Sequence, residues 1–322
     1  MRICDLGLQI ARTPLARHIR QLFEELDYRG LSFRPHFWLS DEWFSPDGIP
    51  GVAIPFYLAH PRLAKLERKM MLEVEGGTAE SCLRILRHET GHAIGTAYRL
   101  HRRERYRKLF GKFTAPYPEY YSPKPYSKNY VFHIEPSYAQ AHPAEDFAET
   151  FAVWLKPRST WRSTYEEWPV IKKLEYVAEL MEEVAEAKPL VTSRAKVDPV
   201  SRLRKTLGEH YAQKRDKYGI SLPNLYDQHL RKLFSEKPES GSGQPAATFL
   251  RKNRVQLRKT VAHWTGEYQY MIEQVLREMI DRCRELNLWL DRPVEEAKHD
   301  ALVLVTVQTM NYIHGGHHRV AL

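Results

Sequence analysis

The chain has 322 residues, 43% hydrophobic and 28% charged, the proportions of a globular protein rather than a fibrous or disordered one. Lys and Arg number 49 against 40 Asp and Glu, a net charge of +9, and only three scattered cysteines are present, too few for a disulfide framework. The longest apolar run, Ala301 to Ile313, is shorter than a membrane span and holds Thr, Gln and Asn, and Met1-Arg2-Ile3-Cys4-Asp5 opens no signal-peptide core, so the expected compartment is the cytoplasm.

Thr13-Pro14 supplies the cap and first position of a first helix, with Leu15, Ile19, Leu22, Phe23 and Leu26 as its buried stripe and Gly30 past its end. Leu31, Phe33, Phe37, Trp38 and Leu39 predict a strand interrupted by Pro35, and Val52 to Ala59 predicts a second. Pro61 to Glu75 reads as helix closed by Gly76-Gly77. The next helix is capped by Thr78, carries Glu80 in its first turn, and has an apolar side of Leu83, Leu86, Ala93, Ile94 and Ala97. Gly91 and Gly95 interrupt it at a cost of about 1 kcal/mol each against alanine, a cost that makes sense if another backbone must approach closely.

A basic run follows at Arg102, Arg103, Arg105, Arg107 and Lys108, and then Pro116, Pro118, Pro123 and Pro125 interleave with Tyr117, Tyr120, Tyr121, Tyr126 and Tyr130. So much proline excludes helix and predicts an ordered loop packed by its tyrosines, able to wall a cleft or simply to cover the surface. Pro143 begins another helix with acids in its first turn, Phe147, Ala148, Phe151, Ala152 and Leu155 as its apolar stripe, and Lys156-Pro157 as its stop. Residues 165–187 predict a charged helix ended by Lys188-Pro189, and the chain then reads helical over 202–218, 225–234 and, with a break, 249–290. Ser235 to Thr248, with Ser240-Gly241-Ser242-Gly243, reads as a flexible loop.

Chemistry concentrates in two of these helices. His88-Glu89-Thr90-Gly91-His92 places two imidazoles one turn apart on one face, a spacing that suits two bonds to a single zinc ion. Glu89, about 100° round the helix, can hold a water rather than the metal. In a chain with 15 histidines, a polar helix whose imidazoles face solvent would carry the same pattern. What favours the metal is the downstream pair Glu145 and Glu149, again one turn apart and beside a Phe/Ala stripe. A catalytic zinc keeps three protein ligands and one open position. With Glu145 as the third ligand, Glu149 can hydrogen-bond a ligand imidazole and fix its tautomer, and the reverse assignment is open on spacing alone.

Leu86 to His92 followed by His142-Pro143-Ala144-Glu145-Asp146-Phe147-Ala148-Glu149-Thr150-Phe151-Ala152 resembles the gluzincin metallopeptidases, and most closely the bacterial putative zinc-binding metallopeptidase family. Tyr138-Ala139, Glu145 and Phe147-Ala148-Glu149 are also similar to the catalytic domain of anthrax lethal factor. The resemblance spans roughly residues 30–160. It implies Glu145 as third zinc ligand, Tyr138 as a catalytic tyrosine donating to an oxyanion, and the Val52–Ala59 strand as a partner for extended substrate. Many of the bacterial look-alikes carry an N-terminal cysteine zinc ribbon, which Cys4, Cys82 and Cys283 cannot form.

The expected fold is therefore α+β: a zincin-like metallopeptidase domain over residues 1–189, with a small mixed sheet, followed by a basic, mostly α-helical domain over 190–322. The expected activity is hydrolysis of a peptide or protein substrate with one zinc per chain, bound by His88, His92 and Glu145, with Glu89 as general base, Tyr138 at the oxyanion and Glu149 behind a ligand histidine. Residues 194–259 hold 16 basic and 6 acidic side chains, a block that could meet an acidic partner or nucleic acid or merely form a solvated helical face. The His88–His92 motif and the Phe/Ala helix also resemble the regulatory proteases of the ImmA/IrrE type, which implies a single protein target; an alternative of another class is a nucleic-acid- or protein-binding module whose structural zinc is closed by a fourth ligand such as His142. The tail His314-Gly315-Gly316-His317-His318 reads as a flexible, incidental cluster.

Overall fold

Each strong helix signal in the first half of the chain corresponds to a helix in a computed structural model of the protein, which describes residues 1–118, 121, 124, 126–134, 137–218, 226–236 and 243–312. The first helix, α1 (Pro14–Tyr28), has Thr13 at its N-cap and buries Leu15, Ile19, Leu22 and Leu26. Strands β1 (His36–Ser40) and β2 (Gly51–Pro55) pair in parallel, His36 opposite Gly51, and the loop between them returns to bond Ala53 N–H to the Phe44 carbonyl at 2.8 Å. β2 is wholly buried, which explains why it reads as a continuous apolar run rather than an alternation. It packs beneath α3 (Ala79–Ala97), the helix that carries both histidines of the motif.

Helix α2 (Pro61–Met71) stops short of the expected Glu75, because Leu72 adopts a left-handed φ of 72° that no helix continues through. After α4 (Glu104–Leu109) the chain runs through the tyrosine-rich stretch to α5 (Pro143–Leu155). The charged helix expected over 165–187 begins only at Ile171, as α7 (Ile171–Val184), since Pro169 disfavours helical backbone at Trp168, and a separate turn, α6 (Trp161–Thr164), precedes it.

The described residues divide into two units, one comprising Met1–Met70 and Val74–His210, the other Met71–Glu73 and the chain from Tyr211 onward. Residues past Pro189 stay with the first unit through specific bonds. Leu190 and Val191 N–H groups donate to the Ala97 carbonyl at 2.8 and 3.0 Å, and side chains along β1 hold the chain further on. His36 Nε2 meets the Ala195 carbonyl at 2.9 Å, Trp38 Nε1 donates to Val197 O at 2.8 Å, and Ser40 Oγ to Asp198 O at 2.8 Å. The helix expected from Arg202 begins only at Leu207, as α8 (Leu207–Lys217), because Leu203 and Lys205 give their carbonyls to the N–H groups of Cys4 and Ile3 instead of to a helix.

The second unit is built on α9 (Asp227–Leu233), α10 (Ala246–Thr265), α11 (Gln269–Glu285) and α12 (Val294–Tyr312), with Gly266 at φ 72° making the expected break between α10 and α11. A small sheet missed in the sequence joins it: β3 (Ser235–Glu236) and β4 (Gln244–Pro245) both pair antiparallel with β5 (Leu288–Leu290). Strands of two or three residues leave no periodicity to read. The fold as described is α+β; the small sheet expected in the first unit is a parallel pair, β1 and β2, with one antiparallel bridge from Phe44 to Ala53, and the second unit adds an antiparallel sheet of its own.

Part of the basic block is internal to this unit. Arg258, 8% exposed, contacts the buried Glu273 at 2.6 Å, and Arg254 approaches the same carboxylate at 3.2 Å, while the exposed Arg231 pairs with Glu236 at the surface. No described helix is long and apolar enough to cross a membrane. The His314–His318 tail, most of the Ser240–Gly243 segment, and Tyr120, Pro123 and Pro125 lie outside the described residues.

Candidate metal centre

Helix α3 starts where its cap requires, Thr78 Oγ1 accepting the Ser81 N–H at 3.1 Å, and this fixes the phase of the helix. Its face bearing Gly91 and Gly95 packs on α5. A Cβ at Gly91 would lie 2.8 Å from the Ala148 Cα and 3.1 Å from its carbonyl oxygen, and one at Gly95 would lie 3.3 Å from the Phe147 ring. Gly91 permits the close backbone approach that its helix cost implied, whereas Gly95 faces a side chain rather than backbone. Phe147, Ala148, Phe151, Ala152 and Leu155 are all buried, holding α5 so that Glu145 and Glu149 face α3.

The result is a convergent set of donors. One ligand atom from each of His88, His92 and Glu145 lies within 4.8 Å of the other two. Glu145 Oε2 is 3.0 Å from His88 Nε2 and 3.2 Å from His92 Nε2, and the two imidazole Nε2 atoms are 3.1 Å apart. Two imidazole nitrogens and one carboxylate oxygen, all on buried or half-buried side chains, make a donor set suited to zinc. Glu149 stands on the other side of His88, its Oε1 accepting from Nδ1 at 2.7 Å while its Oε2 accepts the Ile134 N–H at 2.7 Å. That bond puts a hydrogen on Nδ1 and turns the Nε2 lone pair towards Glu145 and His92.

Charge in the site follows from this packing. Burial opposes ionisation of Glu145, yet the charge of His92 and the hydrogen bonds of both histidines hold its carboxyl well below the usual range. Burial likewise pushes against a charged His88, and the bonds from Glu145 and Glu149 outweigh it, raising the imidazole well above its ordinary value in the metal-free protein. Glu89, 7% exposed, is raised, first by burial and then by the negative charge of Glu145, against the opposing charges of the two histidines.

Two tyrosines border the carboxylate. Tyr138, in a short turn reached through Ser137 in the left-handed region, sets its ring 5.6 Å from that of His88, and its phenol is raised well above the ordinary value by burial and by the charges of Glu145 and Glu89. Tyr117 donates its hydroxyl to Glu145 Oε1 at 2.7 Å, a contact the sequence did not single out. The only hint lay in the proline- and tyrosine-rich stretch as a wall of the cleft. Asp146 was missed as well: its Oδ2 accepts from Lys173 Nζ at 2.6 Å, and burial raises its carboxyl to about 7 despite that cation. The separation of 27 residues leaves no local signal for that pair. His142 does not join the three donors, since its Nδ1 accepts the Ala144 N–H at 3.1 Å and its Nε2 meets the Ala115 carbonyl at 2.8 Å.

Residues 67–211 match the model of a protein family described as "Putative zinc-binding metallo-peptidase", as the two motifs lead one to expect. The matched range contains every residue of the site, from α3 through Tyr117 and Tyr138 to α5. No curated protein and no solved structure matches the chain.

Proposed function

We propose that the chain is a zinc-dependent metallopeptidase whose first unit is of the zincin type, with His88, His92 and Glu145 holding one zinc ion. The observation that carries the reading is the approach of Glu145 Oε2 to both imidazole Nε2 atoms, at 3.0 and 3.2 Å, inside the stretch matched to zinc-binding metallo-peptidases. Zinc bound there supplies a Lewis acid and brings the pKa of a water it holds towards 7.

Glu89 would take the proton from the attacking water as the water oxygen bonds to the peptide carbonyl carbon. It returns the proton to the nitrogen as the C–N bond breaks, so one water is consumed and an acid and an amine are released. In the metal-free protein burial raises Glu89, the direction that helps a carboxylate accept and hold a proton. Tyr138, kept protonated by its surroundings, donates to the oxygen on which charge builds. Glu149 fixes the His88 ring through Nδ1. The substrate class is a peptide or protein, with no observation favouring nucleic acid. A closed, structural zinc would need a fourth ligand such as His142, and both of its nitrogens are engaged elsewhere.

The test is Glu89→Gln, assayed for zinc content and for cleavage of denatured casein and a mixed peptide pool. Zinc content should stay at the wild-type value while the rate falls by about 10²–10⁴-fold, the usual weight of general acid–base catalysis. An unreduced rate sinks the assignment of Glu89. A wild type that holds zinc yet leaves general substrates intact moves the reading to a protease with a single protein target.

A further inference from the structure

We infer that Tyr117 is a positioning residue for the metal centre, the group that assigns one oxygen of Glu145 to the histidine pair by holding the other. The inference rests on Glu145 being a metal ligand. Glu145 is 4% exposed, and its two oxygens face different partners. Oε2 lies 3.0 and 3.2 Å from the imidazole nitrogens, and Oε1 accepts the Tyr117 hydroxyl at 2.7 Å. A carboxylate left alone can swing about its terminal bond and offer a metal either oxygen or both. With Oε1 bonded to a phenol, Oε2 alone remains directed at the site.

The phenol is itself held. Its ring stacks on the His142 imidazole with centroids 3.8 Å apart and planes at 18°. His142 in turn is tied at both nitrogens: Nδ1 caps α5 through the Ala144 N–H, and Nε2 meets the carbonyl of Ala115, two residues before Tyr117. The segment around Tyr117 and the first turn of α5, which carries Glu145, are thereby joined as one piece. A tyrosine that merely covered the site would need the ring and not the hydroxyl, whereas here the hydroxyl points at a buried carboxylate oxygen.

Tyr117→Phe separates these roles, since phenylalanine retains the stacking face and loses only the donor. Zinc affinity is measured by competition with a chromophoric chelator, and the melting temperature of the metal-free protein is measured alongside. Affinity should weaken about 10–100-fold, as is usual when a partner behind a ligand is removed, while the metal-free protein stays folded with a lowered melting temperature, because Glu145 Oε1 loses its donor. Wild-type affinity in a folded Tyr117→Phe overturns the inference. Should that variant fail to fold, 3-fluorotyrosine placed at position 117 keeps both ring and donor. Its ¹⁹F resonance should move on addition of one equivalent of zinc, and an unmoved resonance overturns the inference equally. A wild-type protein that binds no zinc is a distinct result, seen before any variant is compared. It removes the metal reading and this inference with it.

Discussion

Replacing Gly91 by alanine tests whether the site depends on the distance between α3 and α5. Helix propensity alone favours alanine by about 1 kcal/mol. Against that, the new Cβ meets backbone, 2.8 Å from the Ala148 Cα and 3.1 Å from its carbonyl oxygen, where no side chain can rotate away. Restoring ordinary contact at about 3.5–4 Å requires the helices to part locally by roughly 1 Å. Overpacking of this kind costs about 1–3 kcal/mol, so the net effect is a loss of up to about 2 kcal/mol. The same movement stretches the 2.7 Å bond between His88 and Glu149 and the 3.0 Å approach of Glu145 to His88, which bridge these two helices. Gly95→Ala is the control. Its Cβ would stand 3.3 Å from the edge of the Phe147 ring, which can give by a few tenths of an ångström, so propensity wins and stability is unchanged or rises by up to about 1 kcal/mol. Chemical denaturation of the metal-free proteins followed by tryptophan fluorescence, with zinc affinity measured in parallel, distinguishes the two. Equal stability and equal zinc affinity in both variants would refute the argument that Gly91 sets the helix spacing.

Two further outcomes are expected. Glu149→Ala leaves the Ile134 N–H and the His88 Nδ1–H without their acceptor, so zinc affinity should weaken about 10–100-fold without being abolished; a variant that binds zinc as tightly as wild type would make Glu149 dispensable, and one that binds none would make it a ligand. The Asp41–Lys205 pair, at 2.7 Å, supplies a pH test, because Lys205 and the Ser40 hydroxyl pull the Asp41 carboxyl below its ordinary value despite burial. A depressed carboxyl stabilises the fold above its unfolded pKa of about 3.9 and loses that contribution as pH falls through the folded value. Lys205→Met should therefore melt slightly below wild type at pH 7, by no more than about 1 kcal/mol in stability, with the two curves converging under strong acid. A gap that persists unchanged at pH 2 would show the loss to be one of packing.

Much of this arrangement was legible in the sequence because its signals are local. Thr78, Pro143 and the apolar stripes fix where α3 and α5 begin and which faces they bury, and Gly91 marks where a second backbone must come close. Spacing alone left Glu145 and Glu149 interchangeable, since residues four apart share one helix face. What separates them in space is where α5 sits along α3, with Glu145 at the Nε2 side of His88 and Glu149 at the Nδ1 side. Features made by distant partners were out of reach. Tyr117 was one of many tyrosines in a proline-rich stretch until the fold brought its hydroxyl to Glu145, and Lys173 shares no pattern with Asp146. The late start of α8 has the same origin, since the carbonyls of Leu203 and Lys205 are taken by the first residues of the chain. The three short strands of the second unit were too brief for alternation to register.

Metal content measured by elemental analysis, on the wild type and on Glu145→Ala after loading with zinc and removal of excess, bears most directly on the proposed centre. The proposal predicts about one zinc per chain in the wild type and little or none in Glu145→Ala, matching a site whose third protein ligand is that carboxylate. No zinc in the wild type, or an undiminished zinc in Glu145→Ala, would contradict it.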